Sequence, residues 1–403
     1  MNKLASILIA STIGGTLFGC SSLDKALEGR TGTIQARGSS AVIKGGHCES
    51  SALTNALRAI GYDIVESDII GGGGAPSFMF SADGFPFLGG RSSRMREVFF
   101  VASGIPYRVV VPGTAAKNSG EVSDAWKPVF ALLESGIPVP LRVDMRFLPY
   151  LYGGKYGPSY MEFGWHWITL FAVDFDKRIA LVSDTEHSGL QEIRIVDLDK
   201  ARHSKTKVWP PRAEFVELSR PASPTAPTIN RRSLIDAAFK TIIDNYEGRD
   251  TWTDSSTAAA KPLPIPTGLA GIEAFPAALR DFDQYAKPWI ASPALSLLAG
   301  CIERNGTGGA AFRVLFRDFI EKSAAALSDT DRAGGDRLRT LLPALDSSIA
   351  AWRALAVEFD AAAAAVTAKM KPAERNVFYE RCAAKAEALA KAERDLYTQI
   401  VTL

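Results

Sequence analysis

Cys48 stands where the sequence predicts the start of a helix. Apolar residues recur at helical spacing over 52–60, and Gly61 suits the end of that helix. Because Gly45 and Gly46 precede it, Cys48 is expected in or just before the first turn, where free backbone N–H groups and the helix dipole favour a thiolate. The same N–H groups can hold an oxyanion. Cys48 is therefore a candidate nucleophile, and a small buried thiol is the alternative.

His166 and Asp184 are the candidate base and its partner. Each belongs to a β-rich run, and a polar turn at 174–177 separates the two runs. If the hairpin is symmetric about Phe175, His166 lies opposite Asp184 and the two side chains share a face. A carboxylate beside an imidazole fixes its tautomer and stabilises the imidazolium. With Cys48 these residues predict a Cys–His–Asp site, and a core histidine is the alternative for His166.

A loop rich in tyrosine, glycine and proline covers residues 147–162, just before the candidate base. Loops beside a rigid scaffold commonly carry recognition, and a carboxylate suits an amine. We therefore expect Tyr150, Tyr156 and Glu162 on the acceptor side of the cleft, with His47 facing substrate. The alternative is that the tyrosines pack against the C-terminal domain.

The other reactive residue types are expected to be structural. Cys301 and Cys382 lie in helical surroundings and are expected to be buried thiols, whereas His187 and His203 are expected at the surface. The glycine run 71–74 lacks the lysine of a phosphate loop, so we expect flexible backbone near the thiol or the substrate. Cysteine spacing indicates no metal site, and no cofactor is expected.

The first twenty residues have the order of a lipoprotein signal. Lys3 is followed by an uncharged stretch over 4–18, which is too short for a comfortable membrane span. The run Leu17-Phe18-Gly19-Cys20 resembles a bacterial lipobox. We therefore expect Cys20 to be lipidated and the protein to be anchored at the cell envelope, in the outer membrane. The alternative is a cytoplasmic protein with a misassigned start.

Composition divides the remaining chain near Pro221. Of its 403 residues 47% are hydrophobic and 22% are charged, with a net charge of +2, which excludes a disordered chain and gives no global field for nucleic acid. Three prolines in 219–227 exclude regular structure there. Helices rich in Ala, Leu, Glu, Lys and Arg are predicted after them, over 233–246, 267–285, 310–327, 333–359 and 361–400. The predicted parts are a signal peptide (1–20), a polar tether (21–40), an α+β catalytic domain (41–218), a Pro-rich linker (219–227) and an all-α domain (228–403).

Short motifs in a fixed order resemble a known family. They lie at 47–53, 71–74, 86–91, 138–144, 148–150, His166 with Asp184, and 201–202. This order resembles the N-terminal domain of the butirosin biosynthesis protein H family. Motifs at 235–238, 268–272 and 306–313 resemble the helical domain of unknown function that usually follows it. The resemblance covers about 41–403.

The resemblance implies a papain-like cysteine peptidase fold adapted to acyl transfer. Cys48 would then form an acyl intermediate from a thioester or amide donor, His166 would shuttle the proton, Asp184 would orient His166, and an amine would accept the acyl group. A cysteine amidase or peptidase at the envelope, and a non-catalytic binding lipoprotein, are the alternatives. Expected partners are an amine-bearing small molecule or peptide, the membrane through the lipid, and an acyl carrier protein if the chain is cytoplasmic; nucleic acid is not expected.

Papain-like enzymes also use a glutamine upstream of the cysteine as an oxyanion donor. Gln35 lies in the predicted polar tether, and the sequence offers no better-placed glutamine. We therefore assign the backbone N–H groups near Cys48 to this role and leave the second donor open.

Overall fold

The computed structural model describes residues 21–39, 42–82, 85–113, 125–206, 209–222, 229–250, 263–328 and 330–403. The predicted signal peptide, with Cys20, lies outside these ranges, as do residues 223–227 of the predicted linker. Within them, no helix combines the length and the apolarity that a bilayer crossing requires.

An antiparallel sheet organises the N-terminal half. The strands in the described ranges are β1 (Thr33–Gln35), β2 (Pro76–Ser81), β3 (Phe87–Arg91), β4 (Tyr107–Val110), β5 (Val139–Val143), β6 (His166–Asp174), β7 (Ile179–Ser183), β8 (Gln191–Arg194) and β9 (Phe215–Leu218). The sheet has the order β4-β9-β5-β6-β7-β8, β1 pairs with the end of β6, and β2 and β3 form a separate ribbon. β6 is apolar on both faces because each face packs on a core.

Helices cover the sheet and dominate the described part of the C-terminal region. Those of the first half are α1 (Ser21–Leu27), α2 (Cys48–Ala59), α3 (Glu66–Gly72), α4 (Met95–Ser103), α5 (Lys127–Glu134) and α6 (Ile195–Arg202). Those of the second half are α7 (Arg231–Tyr246), α8 (Gly268–Arg280), α9 (Pro288–Glu303), α10 (Arg313–Leu327), α11 (Arg332–Arg339), α12 (Leu342–Ala365) and α13 (Pro372–Val401). The expected mixed α/β region followed by a helical region is confirmed.

The sequence pattern missed α9, which contains two prolines. Pro288 occupies the first turn, where its missing N–H has no partner to lose. Pro293 lies one turn further on, and Leu295 and Leu298 beyond it are fully buried. Burial of the apolar face therefore outweighs the single backbone hydrogen bond that Pro293 removes.

One apolar core joins the two halves of the chain. It contains Leu53 and Leu57 of α2 and Trp167 of β6, together with buried residues of α7 to α13. A second, smaller core lies on the other face of the sheet and includes Ile168 and Leu170 of β6. The helical region is thus packed directly on the elements that hold the candidate site.

The glycine run 71–74 is a packing feature, and the expectation of flexible backbone near the thiol is wrong. Gly71 and Gly72 end α3 and are buried. A Cβ atom on Gly71 would lie 2.2 Å from Cβ of Phe319, and one on Gly72 would lie 2.9 Å from Leu234. The glycines therefore let α3 approach α10 and α7 closely.

Candidate active site

Cys48 is the first residue of α2, and its thiol is half-buried. α2 is held in place because Leu53, Ala56 and Leu57 are completely buried in the shared core. The thiol lies 3.9 Å from the carbonyl oxygen of Trp165 and within hydrogen-bonding range of the His166 ring. The expected position at the start of a helix is confirmed.

A carboxylate of α3 fixes the backbone that leads into α2. Glu66 accepts hydrogen bonds from the backbone N–H groups of Gly46 and His47, both at 2.8 Å, and from the Ser50 hydroxyl at 2.7 Å. Burial raises the pKa of Glu66, although these hydrogen bonds oppose the shift. The loop before Cys48 is therefore anchored on the neighbouring helix.

His166 and Asp184 form a buried pair at the end of β6 and β7. Nε2 of His166 lies 2.9 Å and 3.0 Å from the two carboxylate oxygens of Asp184. Because Nε2 is engaged with Asp184, Nδ1 is the ring nitrogen left for the thiol of Cys48. The structure therefore brings Cys48, His166 and Asp184 together in one chain of contacts.

The hairpin register differs from the predicted one. Asp174 pairs with Ile179, so the turn holds four residues and is not centred on Phe175. A bulge between Leu170 and Ala172 then shifts the pairing, so that Thr169 lies opposite Ser183. His166 is consequently not directly opposite Asp184. Asp184 follows Ser183, so continuing the register would set it level with Ile168, two residues from His166. The bulge restores the shared face, because without it Asp184 would point to the other side.

The pKa values of His166 and Asp184 are both shifted, in opposite directions. Burial lowers the pKa of His166, but the charge and hydrogen bond of Asp184, together with Cys48, outweigh burial and raise this pKa to about 10. Burial would raise the pKa of Asp184, but the same His166 contact, with Tyr150 and the Thr185 N–H, lowers it. His166 is therefore an imidazolium at neutral pH, beside an ionised Asp184.

Of the four expected substrate-binding residues, Tyr150 reaches the site through Asp184. Its hydroxyl donates to Asp184 Oδ2 at 2.8 Å, and burial, followed by the charge of Asp184, raises its pKa well above the ordinary value. Asp184 also accepts from its neighbour's backbone, Thr185 N–H, at 2.7 Å. Tyr150 thus helps to hold the carboxylate that holds His166.

Tyr156, Glu162 and His47 have other partners. The Tyr156 hydroxyl contacts Asp197 and Lys200, and Glu162 forms an ion pair with Arg146. His47 is the N-cap of α2, and its Nδ1 accepts from the Ser50 N–H at 3.3 Å. The structure brings His47 to the site but engages Tyr156 and Glu162 in pairs within their own region of the chain.

A largely buried chain of ion pairs includes the residue after Cys48, and sequence reasoning missed it. Glu49, which follows Cys48, bridges two arginines, and the chain continues through a second glutamate. Its links measure 3.0 Å to 3.2 Å and join Arg91, Glu49, Arg96, Glu214 and Arg142 in that order. The guanidinium groups at both ends also lie over the Trp165 ring. The members lie in or beside five different elements, so no local sequence pattern predicts that they meet.

The remaining candidates lie apart from this site. Gln35 pairs with Ala172 at the end of β6 remote from His166, and its amide donates to Ser39. Cys301 and Cys382 are buried as expected, and burial raises their pKa values to about 11 and about 12. In the described ranges, no three His, Cys, Asp or Glu side chains are grouped to hold a metal ion.

The two remaining histidines differ in exposure and in partners. His203 is exposed, as expected, and lies beside Asp199. His187 is half-buried, and its ring packs edge-on against Tyr150 with centroids 5.8 Å apart.

Two family models match the chain. The model described as Butirosin biosynthesis protein H, N-terminal, matches residues 47–185, and the model described as Domain of unknown function (DUF4872) matches residues 196–400. No curated protein matches the chain. The first match begins one residue before Cys48 and ends one residue after Asp184, so it contains all three members of the chain of contacts.

Proposed function

Because the chain belongs to the family in which a butirosin biosynthesis protein H N-terminal region is followed by DUF4872, we propose that it transfers acyl groups through Cys48. The observation that carries the proposal is the half-buried Cys48 thiol at a helix start, in contact with a His166 ring that Asp184 holds at 2.9 Å. A thiol, an imidazole and a carboxylate in sequence are what nucleophilic acyl transfer requires.

In the first half-reaction the Cys48 thiolate attacks the carbonyl carbon of a thioester or amide donor. The carbonyl oxygen becomes an oxyanion, and the N–H groups at the start of α2 stabilise it. Collapse of this intermediate breaks the bond to the leaving thiol or amine, which takes the proton from His166. Acyl-Cys48 and a neutral His166 remain.

In the second half-reaction an amine attacks acyl-Cys48. Neutral His166 takes the proton of the attacking amine, and the bond from the acyl carbon to sulfur breaks. The amide leaves, and the ion pair of Cys48 thiolate and His166 imidazolium is restored. Water in place of the amine gives a carboxylic acid, which is the hydrolase alternative.

The same geometry supports a papain-like fold for the N-terminal region. The cysteine begins a helix, the histidine begins a strand, and the carboxylate follows the adjacent strand. The loop over 147–162 lies beside Asp184 through Tyr150, which supports a role for this loop in receiving the amine. Tyr150 would then combine recognition with support of Asp184.

Trapping of the acyl intermediate tests the chemistry. The protein is incubated with the acetyl thioester of N-acetylcysteamine, quenched in acid and digested, and the Cys48 peptide is analysed by mass spectrometry. We expect acetyl on Cys48, and in the matched Cys301→Ala variant as well, but none in Cys48→Ala. Amide product on adding a primary amine supports the transferase, acid alone supports the hydrolase, and no acetyl on Cys48 favours a binding protein.

A lipid anchor at the cell envelope is proposed from the signal-like order of residues 3–20. Cys20 would carry the lipid and retain the protein in the membrane fraction. We expect labelled palmitate to enter the unmodified protein but not Cys20→Ser when each is produced in a bacterial host. A protein with intact Met1 in the cytoplasmic fraction would contradict the anchor and favour a carrier protein as the acyl donor.

A further inference from the structure

We propose that Nε2–H of His47 is the second donor to the oxyanion formed at Cys48. This inference rests on the proposed acyl transfer and supplies the donor that papain-like enzymes take from an upstream glutamine. His47 directly precedes the nucleophile and is only 6% exposed. It would therefore be a catalytic residue that touches the reacting carbonyl.

The N-cap contact assigns the tautomer of His47. The buried Ser50 N–H group donates to Nδ1 of His47 at 3.3 Å, so we assign Nδ1 as the acceptor, with the Ser50 hydroxyl oxygen also 3.2 Å from it. The Ser50 hydroxyl gives its own proton to Glu66 at 2.7 Å. The neutral ring then carries its proton on Nε2, and among the described residues no acceptor is hydrogen-bonded to that atom.

The surroundings of His47 keep its ring neutral. Burial, then the positive charges of Arg91 and His166, lower its pKa well below the ordinary value. Because His47 is the N-cap of α2 and Cys48 is its first residue, the ring lies at the same helix start whose N–H groups are proposed to hold the oxyanion. A neutral imidazole donates a hydrogen bond to an oxyanion without transferring a proton, so it stays intact through both half-reactions.

The helical region fixes the orientation of this ring. Phe312 packs edge-on against His47 with ring centroids 5.2 Å apart, and the Gly308 N–H donates to the Gly46 carbonyl at 3.0 Å. Ala310, Ala311 and Phe312 all have positive φ, at 47°, 49° and 73°. Side chains disfavour that conformation, so it persists only where surrounding contacts impose it.

Arg313 supplies those contacts. Its guanidinium group is fully buried, donates to the carbonyls of Ser77, Gly90 and Ala311, and pairs with Glu393 at 2.9 Å. This anchor holds the strained turn against the loop before Cys48. Phe312 is therefore a positioning residue that acts through His47. The domain of unknown function, which contains Phe312, thereby helps to orient the oxyanion donor.

Comparison of two reactions of Cys48 tests the proposal. Acylation by the acetyl thioester of N-acetylcysteamine passes through an oxyanion, whereas alkylation by iodoacetamide does not. In His47→Ser, whose hydroxyl still caps α2, we expect acylation to fall about 10²–10³-fold more than alkylation. His47→Asp, which caps equally well and offers no donor, should show the same divergence and serves if the serine variant does not fold.

Two further variants sharpen the result. His47→Asn keeps both a cap and an N–H donor, so it should recover part of the lost acylation. Phe312→Leu should lower acylation relative to alkylation by a smaller factor, because the ring loses its orientation but keeps its donor. A parallel fall of both reactions in His47→Ser and His47→Asp would overturn the proposal and leave His47 as a cap. Sluggish alkylation of Cys48 in the unmodified protein would instead refute the proposed function.

Discussion

Cys48 differs from the other described cysteines in exposure and in surroundings. Its thiol is half-buried beside an imidazole, whereas Cys301 and Cys382 are buried and burial raises their pKa values to about 11 and about 12. Because the thiolate is the reactive form, we expect iodoacetamide near neutral pH to modify Cys48 at least about 10-fold faster than the other two. Peptide mass spectrometry of the native protein measures this, and His166→Ala should slow Cys48. Equally slow labelling of all three cysteines would contradict the prediction.

His166 links the stability of the protein to pH. Its folded pKa of about 10 lies above the ordinary value of 6.5, so the protonated ring stabilises the folded state. That contribution is fully present below about pH 6.5 and is lost as the pH rises through about 10. We expect the urea midpoint to fall over this range less steeply in His166→Gln than in the unmodified protein. The exposed His203→Gln is the control, and identical slopes in both histidine variants would refute the assignment.

Tyr150 contributes through its hydrogen bond to Asp184. Tyr150→Phe leaves the ring but removes the donor, so a buried carboxylate loses one of its partners. We expect a loss of about 1.5–3 kcal/mol in the free energy of unfolding, the usual range for a hydrogen bond to a charged group. Tyr156→Phe is the matched control in urea unfolding, because Asp197 keeps its two hydrogen bonds from Arg194. If only the kinetics changed, Tyr150 would be a recognition residue alone.

At the scale of elements, Gly71 sets the distance between α3 and α10. A Cβ atom there would lie 2.2 Å from the Phe319 side chain, so Gly71→Ala must push the two helices apart. We expect destabilisation of about 1–3 kcal/mol. Gly189→Ala is the matched control because nothing lies within 4 Å of its added Cβ, and it should change stability by less than about 0.5 kcal/mol. Equal urea midpoints for the two variants would contradict the packing role.

The sequence placed the start of α2 and the proximity of His166 to Asp184, because both follow from local patterns. It did not place the hairpin register. Arg178 takes a left-handed conformation at φ 55° within a four-residue turn, and no glycine marks that position. The bulge near Phe171 leaves no mark in an unbroken apolar run.

At the scale of the whole molecule, Arg313 and Glu393 tie the two family regions together. Both side chains are fully buried, and Arg313 also binds carbonyls of the N-terminal half. Arg313→Met removes the only cation paired with the buried Glu393 carboxylate in the described ranges, which keeps hydrogen bonds from Tyr246, Ser348 and Trp352, so we expect a loss of about 3–5 kcal/mol. Arg317→Met, which breaks exposed pairs on the same helix, should cost no more than about 1 kcal/mol.

Urea unfolding of the unmodified protein tests whether the two family regions unfold together. Because one core spans both regions, tryptophan fluorescence and far-ultraviolet circular dichroism should give one coincident urea transition. Two separate transitions in the unmodified protein would contradict a shared core. Amphipathic patterns predicted that the C-terminal helices bury one face, but they carry no information about which surface covers it. The packing of the C-terminal helices against α2 and α3 could therefore not be predicted from the sequence.

The anchor of the strained turn also sets an order of events during synthesis. Cys48 and His47 leave the ribosome early, whereas Phe312 and Glu393 follow far later in the chain. Until the last helix has docked, Arg313 lacks the carboxylate of Glu393, which helps to hold the turn against the loop before Cys48. The nascent chain therefore carries an unassembled thiol while it is being made, and the nucleophile gains its full surroundings only after α13 has been made and has docked.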